Sequence, residues 1–242
     1  MTPARPGLGE GPDKARFVGE MFSRIARRYD RMNGLMTLGR HHAWRRVAAR
    51  QTIPSPPGPA LDLATGTGDL ALELQRTHPS RVVIGADFAL GMLGVASEKL
   101  GRGRSNWRIR LVAADALCLP FGDRSFACVT SAFLLRNLAN LEQGLAEMKR
   151  VTRAGGRVVA LEITQATLPG FAPLFRFYFH RVVPRAGQLL GGDREAYTYL
   201  PQSVDRFATP EEISRLMEKI GLRGVSYRRL AMGTITIHTG IA

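Results

Sequence analysis

Between residues 60 and 163, two patterns of apolar and polar positions alternate along this chain. Short, nearly continuous apolar runs are typical of buried strands, and they alternate with segments in which apolar residues recur every three or four positions, as in amphipathic helices. The predicted order is strand 60–64, helix 68–77, strand 82–86, helix 89–100, strand 109–113, strand 126–132, helix 140–152 and strand 156–163. This alternation predicts a parallel, doubly wound α/β sheet.

The flanking segments follow other patterns. Helical periodicity covers about 14–28 and 40–50, before a proline-rich linker, and the glycines at 155 and 156 are predicted to end the helix 140–152. Residues 168–184 are rich in aromatics. The C-terminal part predicts a helix over about 210–220 and strands near 223–231 and 233–239, joined by a tight turn at Met232-Gly233.

These patterns predict a single domain over 1–242, since the length suits one large α/β domain and no internal repeat interrupts it. Its expected parts are a disordered start at 1–13, a helical lid at 14–51, a cofactor-binding core at 60–163, a substrate-facing segment at 165–205 and C-terminal strands at 223–240. The chain begins without a signal segment and has no run of about 18 uncharged apolar residues. We therefore expect a cytoplasmic protein.

Composition adds a strong positive charge, because 34 Lys and Arg residues stand against 20 Asp and Glu, a formal net charge of +14. The arginines that crowd the N-terminal region are Arg24, Arg27, Arg28, Arg31, Arg40, Arg45, Arg46 and Arg50. A basic amphipathic segment of this kind suits an anionic membrane surface or a solvated helix face. Cys118 and Cys128 lack metal-ligand spacing, so we expect two buried hydrophobes and no metal site.

The strongest chemical signal is a glycine turn between a strand and a helix, Thr65-Gly66-Thr67-Gly68. Glycines there let a ligand approach the main chain closely, and Asp87 ends the next strand at a spacing of ~20 residues that suits a ribose-binding carboxylate. A dinucleotide would place its pyrophosphate beside Asp69, at the start of the helix, where the charges repel. Asp62 and Asp69 therefore favour the cationic methyl donor S-adenosylmethionine.

Several motifs together resemble the ubiquinone/menaquinone C-methyltransferase family over nearly the whole chain, from about Phe17 to Gly240. The motifs that carry the resemblance are Tyr29-Asp30-x-x-Asn33, the glycine loop, Asp115-Ala116, Leu119-Pro120-Phe121, Leu135-Arg136-Asn137, the segment 180–187 and Tyr197-Thr198-Tyr199-Leu200. The resemblance implies a class I methyltransferase (Rossmann-like) fold, with a seven-stranded, mostly parallel sheet, helices on both faces and a helical N-terminal lid. It is closest to the branch that methylates demethylmenaquinol.

The resemblance also implies roles for particular residues. Arg136 and Asn137 would stabilise the phenolate form of a quinol, while His180 and Tyr29 would complete the catalytic set. The residues implied to contact S-adenosylmethionine are Tyr29, Asp62, Thr65, Gly66, Thr67, Gly68, Asp87, Phe88, Asp115, Ala116 and Ala132. Three positions depart from the family pattern: Ala132 stands where a serine is common, and Leu134 and Thr65 stand where a glycine is common.

The partners that the resemblance implies are a polyprenylated naphthoquinol and, peripherally, the inner face of an anionic plasma membrane; it also allows a homodimer. No RNA-binding module or stacking motif is evident, so no nucleic-acid partner is expected. The alternatives left open are a benzoquinol precursor of ubiquinone, another small molecule, RNA as substrate, and a cofactor-binding protein without catalysis.

Overall fold

The computed structural model describes residues 12–102, 107–166, 168–188 and 193–242. Within these ranges, seven strands form one sheet in the order β3-β2-β1-β4-β5-β7-β6. The strands are β1 Ala60–Leu63, β2 Val83–Asp87, β3 Ile109–Ala113, β4 Phe126–Ala132, β5 Thr152–Ile163, β6 Arg223–Leu230 and β7 Ile235–Ile241. β7 runs antiparallel to both its neighbours, and the other pairings are parallel. The predicted α/β fold is confirmed.

Helices cover both faces of this sheet. The helices that alternate with the strands are α3 Asp69–Thr77, α4 Leu90–Gly101, α5 Leu141–Val151 and α9 Pro210–Lys219. The remaining ones are α1 Pro12–Thr37, α2 Arg40–Arg50, α6 Phe171–Phe177, α7 Val183–Ala186 and α8 Arg194–Asp205. On one face, Met148 of α5 and Met217 of α9 pack with the strands, and on the other, Ala48 of α2 and Leu74 of α3 do. The central strands are therefore buried on both sides, which explains the apolar runs of β1 and β4, whereas the edge strands β3 and β6 are partly exposed.

A second apolar cluster joins α1 to α8 and to the segment around α6 and α7. Met21, Ile25 and Met32 form a buried stripe along α1, and they pack with Phe179 and Tyr197. This helical cover, which we define as α1, α2 and residues 171–188 and 193–205, lies over the carboxyl ends of β1, β2 and β4. Ligands bind at that edge in parallel α/β sheets.

Two expectations about local structure were wrong, and the tight turn expected at Met232 was confirmed. The first helix does not stop near 28 but continues to Thr37, because Met32 extends its buried stripe and Gly34 is tolerated inside it. The strand after α5 starts at Thr152, so Gly155 (φ +75°) lies within β5, where the register against β4 shifts. Met232 (φ +54°) lies in a short 3₁₀ turn between β6 and β7, as expected of a tight turn.

Two side chains lie elsewhere than expected. Cys118 is exposed, because the loop after β3 runs along the surface, whereas Cys128 is buried in β4 and burial raises its pKa to about 11. Arg45 is not on the surface of α2 but is only 5% exposed. The expected disorder at 1–13 falls almost wholly outside the described residues. Within the described ranges, no helix is both long and apolar enough to cross a bilayer.

Candidate active site

The end of β2 presents a carboxylate that the glycine loop holds in place. Asp87 Oδ2 accepts a hydrogen bond from the Gly66 N–H at 2.7 Å, and Oδ1 accepts one from the Ala89 N–H at 2.8 Å. Burial raises the pKa of Asp87, and the backbone N–H groups of Ala89, Gly66 and Phe88 oppose that shift. Each carboxylate oxygen keeps a second acceptor site, so Asp87 can receive hydrogen bonds from ligand hydroxyls.

Beneath the loop lies a second carboxyl group, Asp62, which is 1% exposed. It accepts hydrogen bonds from the hydroxyls of Thr65 at 2.7 Å and Thr130 at 3.2 Å. Burial raises its pKa to about 7. Asp62 and Thr65 are therefore placed under the loop, where they tie it to β1 and β4, and neither lines the adjoining cavity.

The first cavity opens above the glycine loop and contains about 800 Å³ of empty space, including its mouth. The predicted cofactor residues that line it are Tyr29, Gly66, Asp87, Phe88, Asp115, Ala116 and Ala132. A Cβ atom added to Gly66 (φ +56°) would meet nothing within 4 Å, so the loop leaves an open cradle beside its main chain. Apolar walls with a few convergent polar groups suit an adenosine-type cofactor.

Thr67 and Gly68, at the same loop, face the lid and the next helix. The Thr67 hydroxyl donates a hydrogen bond to Asp30 Oδ1 of α1, and the Lys99 ammonium forms ion pairs with Asp30 and with Asp69. Gly68 precedes α3 with a positive φ of +86°. Although burial acts in the opposite direction, Arg45 and Lys99 hold the pKa of Asp69 below its ordinary value. We call Asp30, Thr67, Asp69 and Lys99 the lid clasp.

A second, larger cavity of about 1010 Å³ lies between the sheet edge and the helical cover. Arg136, Tyr197 and Tyr199 line it, as do three residues of the aromatic segment: Phe175, Tyr178 and Phe179. Burial raises the pKa of Tyr197 to about 12, so this phenol stays protonated at neutral pH. Phe22, Tyr29 and Phe133 line both cavities and form a shared wall between them.

The short turn after β4 directs consecutive side chains to different cavities. Arg136 lines the second cavity, and its Nη1 donates to Glu162 Oε2 at 2.8 Å and to the Phe133 carbonyl at 3.0 Å. Asn137 lines the first cavity; its Nδ2 donates to the Phe133 carbonyl at 2.9 Å, and its Oδ1 accepts a hydrogen bond from the Tyr199 hydroxyl at 3.0 Å. Both residues are thus fixed by buried polar partners.

Glu162 was missed by the sequence reasoning. It is fully buried in β5, accepts a hydrogen bond from the Leu135 N–H at 2.6 Å, and pairs with Arg136. Burial raises its pKa, and the adjacent guanidinium opposes that shift. A lone carboxylate inside the apolar run of a central strand was the available signal, since a buried charge needs a partner.

His180 lies apart from this group. Its Nε2 is 3.2 Å from Asp205 Oδ2, and it lines a separate open cavity beside α6. His41 of α2, which the sequence reasoning also missed, does line the second cavity. His41, His42 and Asp69 have ligand atoms within 4.8 Å of one another, but the Arg45 guanidinium contacts His41 Nδ1 at 2.6 Å and disfavours a cation there.

Comparison with known proteins agrees with this geometry. The sequence model of the ubiE/COQ5 methyltransferase family matches residues 11–242. The chain is 44% identical to a demethylmenaquinone methyltransferase of Deinococcus radiodurans, over 98% of this chain and 97% of the relative. It is 41% identical to a ubiquinone/menaquinone biosynthesis C-methyltransferase of Geobacter sulfurreducens, over 94% and 89%.

Among solved structures, an S-adenosylmethionine-dependent methyltransferase of Thermotoga maritima, described as a possible histamine N-methyltransferase, superposes with a TM-score of 0.62. The alignment covers 92% of this chain and 98% of that one, at 18% identity. At that identity the likeness concerns the fold alone.

Proposed function

The chain belongs to the ubiE/COQ5 methyltransferase family, and on that premise we propose that it methylates a ring carbon of demethylmenaquinol to give menaquinol, with S-adenosylmethionine as the methyl donor. The observation that carries this proposal is the pair of adjoining cavities with a shared wall, one beside Asp87 and the glycine loop and the other beside Arg136. A methyl transfer needs two ligands held against each other.

In the first cavity, the Asp87 carboxylate would accept hydrogen bonds from the ribose hydroxyls, and the open side of Gly66 would admit the rest of the cofactor. Asp115 and Ala116 line the same cavity and suit the adenine end. The bound cofactor supplies an electrophilic methyl group on a sulfonium. The surrounding walls are mostly apolar, so they exclude water from that group.

In the second cavity, Arg136 acts on the substrate oxygen. A quinol carbon becomes a good nucleophile when its neighbouring hydroxyl loses a proton, and a fixed guanidinium stabilises the resulting phenolate. Glu162 holds that guanidinium from the buried side at 2.8 Å. The ring carbon would form a bond to the methyl carbon while the methyl–sulfur bond breaks and its electron pair stays on sulfur, which leaves a neutral thioether. The ring hydrogen then leaves as a proton and the substrate oxygen regains the proton that it lost, so the whole reaction releases one proton.

The outer side of the cover suits contact with a membrane that holds the prenylated substrate. Leu174 and Phe177 are 63% and 62% exposed, and Arg176 and Arg181 are exposed on the same segment. The neighbouring Phe175 lines the second cavity. Apolar side chains with basic neighbours favour anionic lipid surfaces. A cytoplasmic enzyme that binds the inner face of the plasma membrane fits this arrangement.

The function is tested by incubating the protein with labelled S-adenosylmethionine and, separately, demethylmenaquinol, a demethylated benzoquinol precursor of ubiquinone, and bulk RNA. We expect label in menaquinol. Label in the benzoquinol alone or in RNA would contradict the proposal, and cofactor binding without turnover of any substrate would favour a non-catalytic role.

Membrane contact is tested by flotation with vesicles that contain anionic lipid. Phe177→Asp is expected to reduce the bound fraction several-fold, whereas Ile53→Asp, which changes an exposed apolar residue just before β1, should not. Equal binding of both variants would contradict the surface proposed here. The predicted homodimer is measured by sedimentation equilibrium of the same preparations.

A further inference from the structure

His41 is a buried histidine with an unusual combination of contacts. It lies on α2, is 2% exposed, and lines the second cavity together with Arg136. Its Nδ1 is 2.6 Å from Arg45 Nη1. Because a guanidinium can only donate hydrogen bonds, His41 Nδ1 must be the acceptor, and the ring proton of the neutral imidazole is therefore on Nε2.

The Nε2 atom is buried and has no hydrogen-bond partner within the described residues. Buried N–H groups are nearly always paired, so an unpaired one at a cavity wall indicates a ligand acceptor. Burial, together with the nearby Arg45 and His42, lowers the pKa of His41 to about 4, although the carboxylates of Asp69 and Asp30 act in the opposite direction. At neutral pH the side chain is therefore an uncharged donor.

Phe133 relates this donor to Arg136. The Arg45 Cζ lies 5.4 Å from the centroid of the Phe133 ring, and the Arg136 Cζ lies 5.6 Å from the same centroid. The histidine that Arg45 fixes and the guanidinium of Arg136 therefore both line the cavity around Phe133. A hydroquinone carries two hydroxyl oxygens on opposite sides of its ring, so two separate polar groups of the protein are needed to bind both oxygens.

We propose that His41 is a substrate-binding residue whose Nε2–H donates a hydrogen bond to one hydroxyl oxygen of the quinol, while Arg136 acts on the other. Arg45 is a positioning residue that fixes the tautomer. The inference rests on the function proposed above. The bond orients the quinol ring so that its reacting carbon faces the methyl group, which is a condition for in-line transfer.

Steady-state kinetics test the proposal with three variants. His41→Leu removes the donor at similar volume, His41→Gln keeps an N–H near the same position, and Arg50→Gln changes an exposed residue at the end of the same helix. We expect kcat/KM for demethylmenaquinol to fall ~10- to 100-fold in His41→Leu, and to stay within about fivefold of wild type in His41→Gln. Arg50→Gln should leave it unchanged, and the dissociation constant for S-adenosylmethionine should change less than about twofold in all three.

Two results would overturn the assignment. Either His41→Leu retains wild-type kcat/KM for the quinol, or it loses cofactor affinity and thermal stability in proportion to activity, as a purely structural residue would. A wild-type protein that does not methylate demethylmenaquinol would instead overturn the proposed function. The two failures are therefore distinct.

The tautomer of His41 and its response to the quinol can be measured by NMR, and a purely structural role would not predict that response. In protein labelled with ¹⁵N-histidine, the His41 signals, identified by their loss in His41→Gln, should show a protonated Nε2 and an unprotonated Nδ1 at pH 7. Addition of the quinol should shift the Nε2 proton downfield. A proton on Nδ1, or no shift on saturation with the quinol, would contradict the proposal.

Discussion

The two sides of the cleft are built differently. On the sheet side, buried carboxylates are paired with backbone N–H groups or hydroxyls, as Asp87 is with Gly66 and Asp62 is with Thr65. On the cover side, an apolar stripe that includes Met21 and Met32 packs over the cleft. The polar links from the cover to the sheet side include the lid clasp, the hydrogen bond from the Lys14 ammonium to the Leu138 carbonyl and the one from the Tyr199 hydroxyl to Asn137. The sheet side therefore holds its polar side chains in fixed positions by hydrogen bonds, whereas the cover mainly encloses the two cavities.

The largest effects on stability and turnover are expected from a change at Arg136, on the sheet side of the cleft. Arg136→Gln leaves Glu162 buried without its cation, which costs ~3–5 kcal/mol of stability. The variant also lacks the group that we propose to stabilise the phenolate, so we expect kcat to fall about 10²–10³-fold. Urea unfolding and turnover measure the two effects.

The double variant Arg136→Gln/Glu162→Gln separates them. It removes both buried charges, so most of the stability should return while kcat stays low. A double variant that regains activity together with stability would show that Arg136 is structural.

The second test concerns pH and the sheet side. The folded pKa of Asp62 is about 7 against an ordinary 3.8, so ionising it disfavours the folded state. The protonated Asp62 carboxyl therefore contributes in full to the free energy of unfolding below pH 3.8. This contribution declines as the pH rises towards 7, and it amounts to at most ~4 kcal/mol. Asp62→Asn should remove this part of the pH dependence of urea unfolding, and curves for the two proteins that stay parallel between pH 4.5 and 7.5 would contradict the assignment.

The third test is Asp87→Asn. The amide loses one charge and places an N–H group against the Gly66 or Ala89 N–H, so the dissociation constant for S-adenosylmethionine should rise ~10- to 100-fold. Calorimetric titration measures it. Asp123→Asn, at an exposed carboxylate, is the matched control, and equal effects of both variants would show that overall charge rather than the site is responsible.

The fourth test compares two glycines of α4, one of which contacts α1 of the cover while the other does not. A Cβ on Gly91 would lie 2.9 Å from the Ser23 backbone of α1, whereas one on Gly94 would meet nothing within 4 Å. Gly91→Ala should displace α1, cost ~1–3 kcal/mol and raise the KM of both substrates. Gly94→Ala should stabilise the helix by up to ~1 kcal/mol without changing KM. Identical behaviour of the two variants would show that α1 does not rest on α4 as described.

The smallest effect is expected at the lid clasp. Asp30 and Lys99 are 35% and 28% exposed, so solvent screens their ion pair. Asp30→Asn should therefore cost below ~1 kcal/mol and raise the KM of S-adenosylmethionine two- to fivefold. Arg27→Met, which removes a more exposed pair with Glu98, is the control and should change neither stability nor KM measurably. A large loss of stability in Asp30→Asn would mean that the cover depends on polar links after all.

The sequence predicted the sheet side better than the cover. Strands at 109–113 and 126–132 were placed to the residue. β4 is buried on both faces, which gives it a local apolar run, and β3, a partly buried edge strand, still has apolar residues at four of its five positions. Strand ends such as Asp87 then meet at one edge of the sheet. The full length of α1 and the helical turns within 171–186 depend on contacts with distant elements, which no local pattern records. His41 was hidden for the same reason: its environment comes from Arg45, Asp69 and Phe133 together.

The wall that the two cavities share has a thermodynamic consequence. Phe22, Tyr29 and Phe133 contact whatever fills either cavity. Any shift of these rings that accompanies binding on one side changes the affinity on the other, and reciprocity requires the two factors to be equal. We therefore expect the methyl donor and the quinol to be energetically coupled through these three aromatic rings, and the product in one cavity to influence release of the product in the other.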